Sequence, residues 1–511
     1  MSYQLFSTNT WPTCNKPSST LIHILDNDSL LSIFSFCRPL ILDENKTSDD
    51  ENLGGQWSHE RWWYRLVHVC RRWRDLMLQS PSSLRLSLLC TCRTHVADML
   101  ANSPPLPLII DYLDEDNIID HLDEDIIIDH LDEDNNSTTT EYEKGIILAL
   151  QYHDRVRRIR VRSPNSILQK AIVALDGEFP ILEYLLIHHR YYRPADIHDT
   201  RFNIPETFRA PNLRHLLLMG FDIPIESSIL TTMGNLVTLN LDSIPPSAYF
   251  CPNYLLRWIS CMPQLEILRI CFDSNRPSSD VFERHWQLSP VPIITDVTLP
   301  NLRWFGFSGS SAYLEALLPC VSFPPLEKVQ IYFFNQPTYS IPHLQRYISA
   351  AWNFRPIAIT LNFYAYRVDM TAHSPTAFLS MGCWGYFLEW QVASAAQVFH
   401  TLGTVFSAVE HLTLQYTRDH IASFFNHDAD REQWRKLLGP FSKVKTIVVD
   451  DKLVGQLSHS LQPSEGGSPV ELLPELQELS YRSTDASRDV FAQFIYARQK
   501  AGHPVTTVTC Y

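Results

Sequence analysis

The chain has 511 residues, 45% apolar and 19% charged, a globular balance that predicts folded structure in two to four domains or one elongated repeat array. Its net charge is −14, but residues 111–134 alone hold nine Asp and three Glu with no Lys or Arg, leaving −2 for the rest and none of the basic surface that nucleic acid demands. Eleven cysteines, an odd count in a long chain, argue for free thiols and against a disulfide framework. No run approaches the roughly 18 apolar residues of a membrane span, and the first residues lack a basic stretch followed by an apolar run. The expected setting is cytoplasmic or nuclear.

Asp28 can cap a first helix with apolar positions at Leu30, Leu31, Ile33, Phe34 and Cys37, stopped by Pro39. An acidic, glycine-containing loop follows from Asp43 to Gln56. A second helix is predicted from about Arg61 to Leu78, with Trp62, Trp63, Leu66, Val67, Val69, Cys70, Trp73, Leu76 and Met77 forming a wide apolar stripe, and Ser80-Pro81 ending it. Two short helices cannot bury that much surface alone. Either they dock on the rest of the chain or they hold apolar surface for a partner.

The order Leu25-Asp26-Asn27-Asp28-Ser29-Leu30-Leu31-Ser32-Ile33-Phe34, a gap, Val69-Cys70-Arg71-Arg72-Trp73-Arg74-Asp75-Leu76, then Ser80-Pro81, resembles an F-box, and is especially similar to those of the large F-box families of mushroom-forming fungi. The resemblance covers residues 18–88. It implies binding to the Skp-type adaptor of a cullin-based SCF ubiquitin ligase, with Leu25, Leu30, Leu31, Ile33 and Phe34 of the first helix and Val69, Cys70 and Trp73 of the second as contact or core residues. Three features depart from the family: Asp26 stands where proline is usual, the Asp43–Gln56 loop is long, and Leu84 takes a place often held by tryptophan. Solvated insertions cost little closure entropy.

Residues 89–150 are read as a connecting region. Within it, residues 111–137 are three copies of a nine-residue repeat, from Asp-Tyr-Leu-Asp-Glu-Asp-Asn-Ile-Ile to Asp-His-Leu-Asp-Glu-Asp-Asn-Asn-Ser. Its carboxylates are hard ligands, but the tract lacks the glycine turn and distal bidentate Glu of a calcium loop. Dense like charge predicts a solvated loop.

From residue 151 to 511 a Leu-x-x-Leu-x-Leu pattern recurs, often after proline. Clear copies begin at Leu182, Leu213, Leu236, Leu265, Leu302 and Leu326, at steps of 31, 23, 29, 37 and 24 residues; later ones surround Leu412, Ile447 and Leu479, and a weaker one starts at Val156. Alternation within each copy puts the anchors on one face of a strand. Helix-like stretches lie between, for example Tyr254 to Met262 and Ala393 to Val405. The register is poor between Leu326 and Val409, where 357–363 reads as one more strand. The fold class expected is α/β: the F-box-like helical unit, then an irregular leucine-rich-repeat solenoid with parallel strands and outer helices. Steps are uneven, and the buried Asn or Cys ladder of regular arrays is mostly missing. An ordinary α/β sheet is the rival architecture.

Catalytic motifs are absent. Gly306-Phe307-Ser308-Gly309 is not a nucleophile elbow, no phosphate loop occurs, and Cys90, Cys92 and His95 lack a second ligand pair at zinc spacing. His188-His189 reads as a strand-end pair facing water. No cofactor or metal is implied. The residues between anchors, among them Tyr184, His188, His215, Met219, Asn240, Arg269, Trp304, Lys328 and Tyr332, form the expected target-binding face. In the family this repeat region captures the substrate, which would make the chain the substrate-recognition adaptor of the ligase, joined to the cullin through the Skp-type adaptor, with an unknown protein as substrate. The rivals are an F-box-like interaction protein outside any ligase, and an enzyme on an α/β scaffold.

Overall fold

A computed structural model describes residues 25–38, 61–113, 136–163, 165–189, 203–221, 229–273, 296–336, 338–385, 387–417, 431–462, 472–482 and 490–510. The chain divides into two compact units, one of residues 1–89 and 100–108, the other of residues 90–99 and 109–511. The loop predicted from Asp43 to Gln56, Pro39 and most of the acidic repeat (114–135) lie outside the described residues.

In the first unit, helix α1 (Asn27–Cys37) is capped by Asp26, not by Asp28: the Asp26 carboxylate accepts from the Ser29 backbone N–H at 2.6 Å. A carboxylate three residues before the N–H it caps satisfies a donor the helix leaves open. The predicted second helix is broken in two, α2 (Tyr64–Val67) and α3 (Arg71–Gln79). Cys70 between them is fully extended (φ −157°, ψ 167°), and Arg74 Nε donates to the Val67 carbonyl left open at the end of α2 (3.1 Å). The wide apolar stripe is thereby shared between two directions, which periodicity alone could not separate. A further turn, α4 (Pro81–Leu84), follows with proline in its first turn. Leu30 and Phe34 of α1 and Met77 of α3 are fully buried. Phe34 meets Trp73 edge to face at 4.8 Å, and Trp63 donates its indole N–H to the Ser87 carbonyl (3.2 Å). Each such side chain contributes about 1.5–3 kcal/mol by leaving water.

The boundary between units falls within strand β1 (Leu88–Thr91) and at the start of β2 (Leu108–Leu113). Asp111, the first residue of the acidic tract, is not in a solvated loop: it is buried in β2 with Arg160 (3.9 Å). The tract's last two residues begin the helix Asn136–Leu150.

The second unit is a succession of strands, nearly all parallel. They are β3 (Val156–Ser163), β4 (Tyr184–His189), β5 (His215–Met219), β6 (Thr238–Ile244) and β7 (Ile267–Phe272). After β8 (Val297–Thr298) come β9 (Trp304–Gly309), β10 (Val321–Ser322), β11 (Lys328–Phe333), β12 (Ala358–Phe363), β13 (Arg367–Ser374) and β14 (Ala377–Trp384). The last four are β15 (His411–Tyr416), β16 (Thr446–Val449), β17 (Glu478–Tyr481) and β18 (Thr507–Cys510). From β2 onward the sheet runs β2-β3-β4-β5-β6-β7-β9-β11-β14-β13-β12-β15-β16-β17-β18, while β8 and β10 form a separate parallel pair. Sequential parallel neighbours joined by helical or looped crossovers make an α/β solenoid, as the anchor pattern predicts.

The stretch of poor register is the exception. The strand read at 357–363 is present as β12, but β13 and β14 were missed, and the three form an antiparallel meander inserted in reverse: β14 pairs in parallel with β11, and β12 in parallel with β15.

The anchors explain the stacking. Leu185, Leu216, Leu239, Leu268, Phe305 and Val329 lie in one register row and are at most 3% exposed. Helices cover this side: Ile259 of the helix Pro252–Ser260 lines one small cavity with Leu268 and Phe305, and Val398 and Phe399 of the helix Leu388–Thr401 line another with Leu361 and Met381. Asparagines form an exposed ladder before the strands, distinct from the buried ladder of regular arrays. Asn212, Asn235 and Asn301 each donate to the carbonyl of a proline in the preceding repeat, Pro180, Pro211 and Pro263, at 2.6–3.1 Å. Charge pairs reinforce the same corner, Arg157 with Glu183, Arg303 with Glu327 and Lys445 with Glu410.

Candidate binding surfaces

On the helical unit the predicted contact residues divide. Leu30 and Phe34 are sealed within the unit's own core, so they hold α1 in place and present no surface. Leu25, Leu31, Cys70 and Trp73 are half-buried. The Leu25 carbonyl accepts from Arg72 (2.6 Å), which also reaches Asn27 Oδ1 (3.0 Å), so the start of α3 is tied to the start of α1. What faces outward is Ile33 (43% exposed), Phe36 (88%) and Val69 (58%). Ile33 and Phe36 are three apart on α1 and share a helix side. Phe36 was not singled out from the sequence. It lies off the stripe defined by Leu30 and Phe34, and that offset is the signal by which it could have been found.

On the second unit, all nine residues expected on the target-binding face lie on one side of the sheet, opposite the anchors. Tyr184, His215, Trp304 and Lys328 share one register row, with Arg158 before them and Phe378 after. Asn240 pairs with Arg269, and Arg269 with Gly306. His188 and Met219 pair in the third row, which Tyr332 continues towards Gly382 and Asp369. Period-2 alternation places them there without exception. His188 does not simply face water: it is half-buried, and its Nδ1 accepts from Arg162 Nε at 2.7 Å, which puts the ring proton on Nε2.

The face is built from cations held over rings and carboxylates. Lys328 Nζ stands 4.1 Å above the Trp304 ring, and Trp304 is only 8% exposed beneath it. Arg158 lies over Tyr184 (5.5 Å). Arg367 lies over Tyr364 (4.9 Å) and Tyr332 (5.6 Å) and donates through Nε to Asp369 Oδ2 (3.0 Å). Burial opposes its charge, but Asp369 and the neighbouring phenols outweigh that and hold its pKa above the usual guanidinium value. Arg269 pairs with Asp242 at 3.1 Å, next to a bulge in β6 where Ser243 takes a left-handed φ of 50°. Two glycines make room: a Cβ on Gly306 would stand 2.9 Å from Arg269 Cγ, and one on Gly382 would stand 2.6 Å from both Asp369 Oδ1 and Tyr332 Cδ1.

This arrangement suits recognition. Burial pushes the thiols of Cys90, Cys271 and Cys383 up to about 12, so they are protonated at neutral pH and poor nucleophiles. Among the described residues no group of three or more His, Cys, Asp or Glu stands where it could hold a metal ion, and no helix is long and apolar enough to cross a membrane.

No family model matches the chain, and no curated protein matches it. Among solved structures it is similar to the leucine-rich repeat-containing protein LegL7 from Legionella pneumophila, at 10% identity, covering 82% of this chain and 98% of that one, with a TM-score of 0.24. So loose a superposition carries no argument. The repeat character of the second unit stands on its own strand register.

Proposed function

We propose that the chain is the substrate-recognition subunit of an SCF-type ubiquitin ligase. The helical unit binds a Skp-type adaptor, and through it a cullin, while the open face of the sheet holds the target protein. Ubiquitin transfer is the work of partner subunits. The observation that carries this reading is the outward apolar set Ile33, Phe36 and Val69 on a unit whose segment Val69-Cys70-Arg71-Arg72-Trp73-Arg74-Asp75-Leu76 resembles an F-box. Exposed apolar side chains beside a polar helix surface mark a protein contact. The sheet supports the second half of the reading, because stacked repeats present one extended surface to a partner.

The test is capture of a Skp-type adaptor by the full chain, with wild type compared to Ile33→Asp/Phe36→Asp. Those two side chains are exposed, so the variant keeps its core. Capture by wild type and its loss in the variant support the reading. Failure of wild type to capture the adaptor defeats it. Asp26, standing where the resembled family has proline, favours a second reading, an interaction protein outside any ligase; adaptor capture with no cullin in the complex would select it.

A further inference from the structure

We infer that the aromatic rim where the meander meets the helix Leu388–Thr401 takes a proline-rich segment of a partner protein, flanked by Lys or Arg and held in the polyproline conformation. The inference goes beyond the proposed function and holds whether or not the chain joins a ligase.

The rim is a product of the antiparallel insertion. The turn 364–366 joins β12 to β13 and is closed by the Tyr364 backbone N–H, which donates to the Arg367 carbonyl (2.8 Å). The Gly385 N–H, just past β14, donates to the Tyr366 carbonyl (2.8 Å). Gln391, 1% exposed, donates through Nε2 to the carbonyls of Tyr364 (2.9 Å) and Gly385 (2.7 Å). One buried amide thus ties the turn, the strand end and the helix start together. Trp390 precedes Gln391, and a Cβ on Gly385 would stand 3.7 Å from Trp390 Cβ, so the Trp390 stem lies against the strand end. Phe387 meets Trp390 edge to face at 4.9 Å. Rings held in place beforehand lose little entropy on binding.

What the rim shows to solvent is aromatic. Trp390, 43% exposed, is the one exposed tryptophan among the described residues, and Tyr366 is 42% exposed. Phe387, Tyr364 and Trp384 of the same stretch are half-buried, while its aliphatic residues Ala365 and Leu388 are buried. Arg367 lies over Tyr364 (4.9 Å) and Trp384 (5.8 Å) with its charge met by Asp369 (3.0 Å), so it serves as one more plate among the rings. Apolar rings gathered at a surface mark a contact site.

Three properties name the occupant. Aromatic faces pack proline rings, and a chain already fixed in φ by proline loses little freedom on docking. The Trp384 indole N–H is buried and has no acceptor among the described residues; a polyproline helix makes no internal hydrogen bonds and brings carbonyls that lack a donor. Glu389, exposed beside Trp390 in the first turn of its helix, has no ionic partner among the described residues, which favours a cation next to the prolines. A second copy of the chain would instead bring another Glu389 to the same rim, like charge against like.

The experiment is fluorescence anisotropy of the full chain with a labelled peptide of about twelve residues, built of Pro-Pro-Ala triplets with Arg at each end. The same peptide with Gly for every Pro, and with Glu for each Arg, is measured alongside. Wild type is expected to bind the proline peptide saturably and each control about tenfold more weakly or worse. Tyr366→Ala/Trp390→Ala is expected to weaken binding by about tenfold or more. Tyr496→Ala, an exposed ring on the helix Ala492–Lys500, is expected to change nothing. Trp390→Ala alone carries the same test should the pair fail to fold. Absence of saturable binding, equal binding of either control peptide, unchanged affinity in the folded variant, or equal loss in Tyr496→Ala each overturns the inference. So does self-association of wild type, followed by sedimentation, that Trp390→Ala abolishes, which would give the rim to a second copy.

Discussion

The helical unit and the stacked sheet handle apolar side chains by different geometries. In the helical unit, a period near 3.6 places Leu30 and Phe34 inside and leaves Ile33 and Phe36 outside on the same helix. Its core is a few residues deep, and each one holds a helix. In the sheet, a period of 2 sends every anchor to the helix-covered side and every intervening residue to the open side. Its core is long and redundant, and each repeat leans on its neighbours. The first unit is therefore the more fragile, and its exposed apolar residues are separable from its buried ones by mutation.

The largest effect expected from breaking that contrast is in the first unit. Leu30→Asp/Phe34→Asp places two charges in a core with no partner for them, which costs about 5 kcal/mol or more. Limited proteolysis mapped by mass spectrometry should show cleavage within residues 61–89, with the strands of the second unit still protected. In the sheet, Leu239→Ala removes a fully buried anchor and should cost about 2–5 kcal/mol, read as a fall in the thermal midpoint of the second unit. Gly382→Ala drives a methyl against Asp369 and Tyr332 and should cost about 1–3 kcal/mol; circular dichroism melts of the variant would check it.

Arg303→Ala removes an exposed bidentate pair with Glu327 and should change stability by at most about 1 kcal/mol. That small loss, set against Leu239→Ala, measures how little the charged corner of the sheet matters beside its anchors. The smallest effect concerns Asp26. The Ser29 backbone N–H holds its pKa below the ordinary 3.8. A carboxylate whose folded pKa is depressed stabilises above its unfolded value and loses that contribution as pH falls through the folded one. Wild type and Asp26→Ala should therefore differ in proteolytic resistance of the first unit at neutral pH and converge in strong acid.

Much of the sheet was legible because its information is local. An Asn-Leu-x-x-Leu-x-Leu run states both the strand and the side each residue takes, so Tyr184, His215, Trp304 and Lys328 could be placed on one face from their positions between anchors. The asparagine ladder was legible in part: Asn212, Asn235 and Asn301 precede their anchors in the sequence, but the proline carbonyls they reach are 24 to 38 residues away. In the helical unit, one apolar stripe over 61–78 concealed the break at Cys70, because the extended Cys70 and the Arg74–Val67 bond that accompany it leave no mark on hydrophobic periodicity. The outward Phe36 was passed over for the inward Phe34 because both are apolar, and only packing tells which of the two meets Trp73.

The sequence by itself determined that residues 151–511 form short strands with leucine anchors on one side, since alternation and spacing act within a few residues of each other. The tertiary structure alone decided the order in which those strands lie. Strand 367–374 alternates apolar and polar residues as plainly as its neighbours, yet it runs antiparallel to both of its partners, and the three strands of the meander enter the sheet in reverse. Backbone N–H and C=O groups at a strand edge are the same for every residue and carry no address for a partner. Which strand pairs with which is settled only when the side chains of both, and of the helices behind them, pack together.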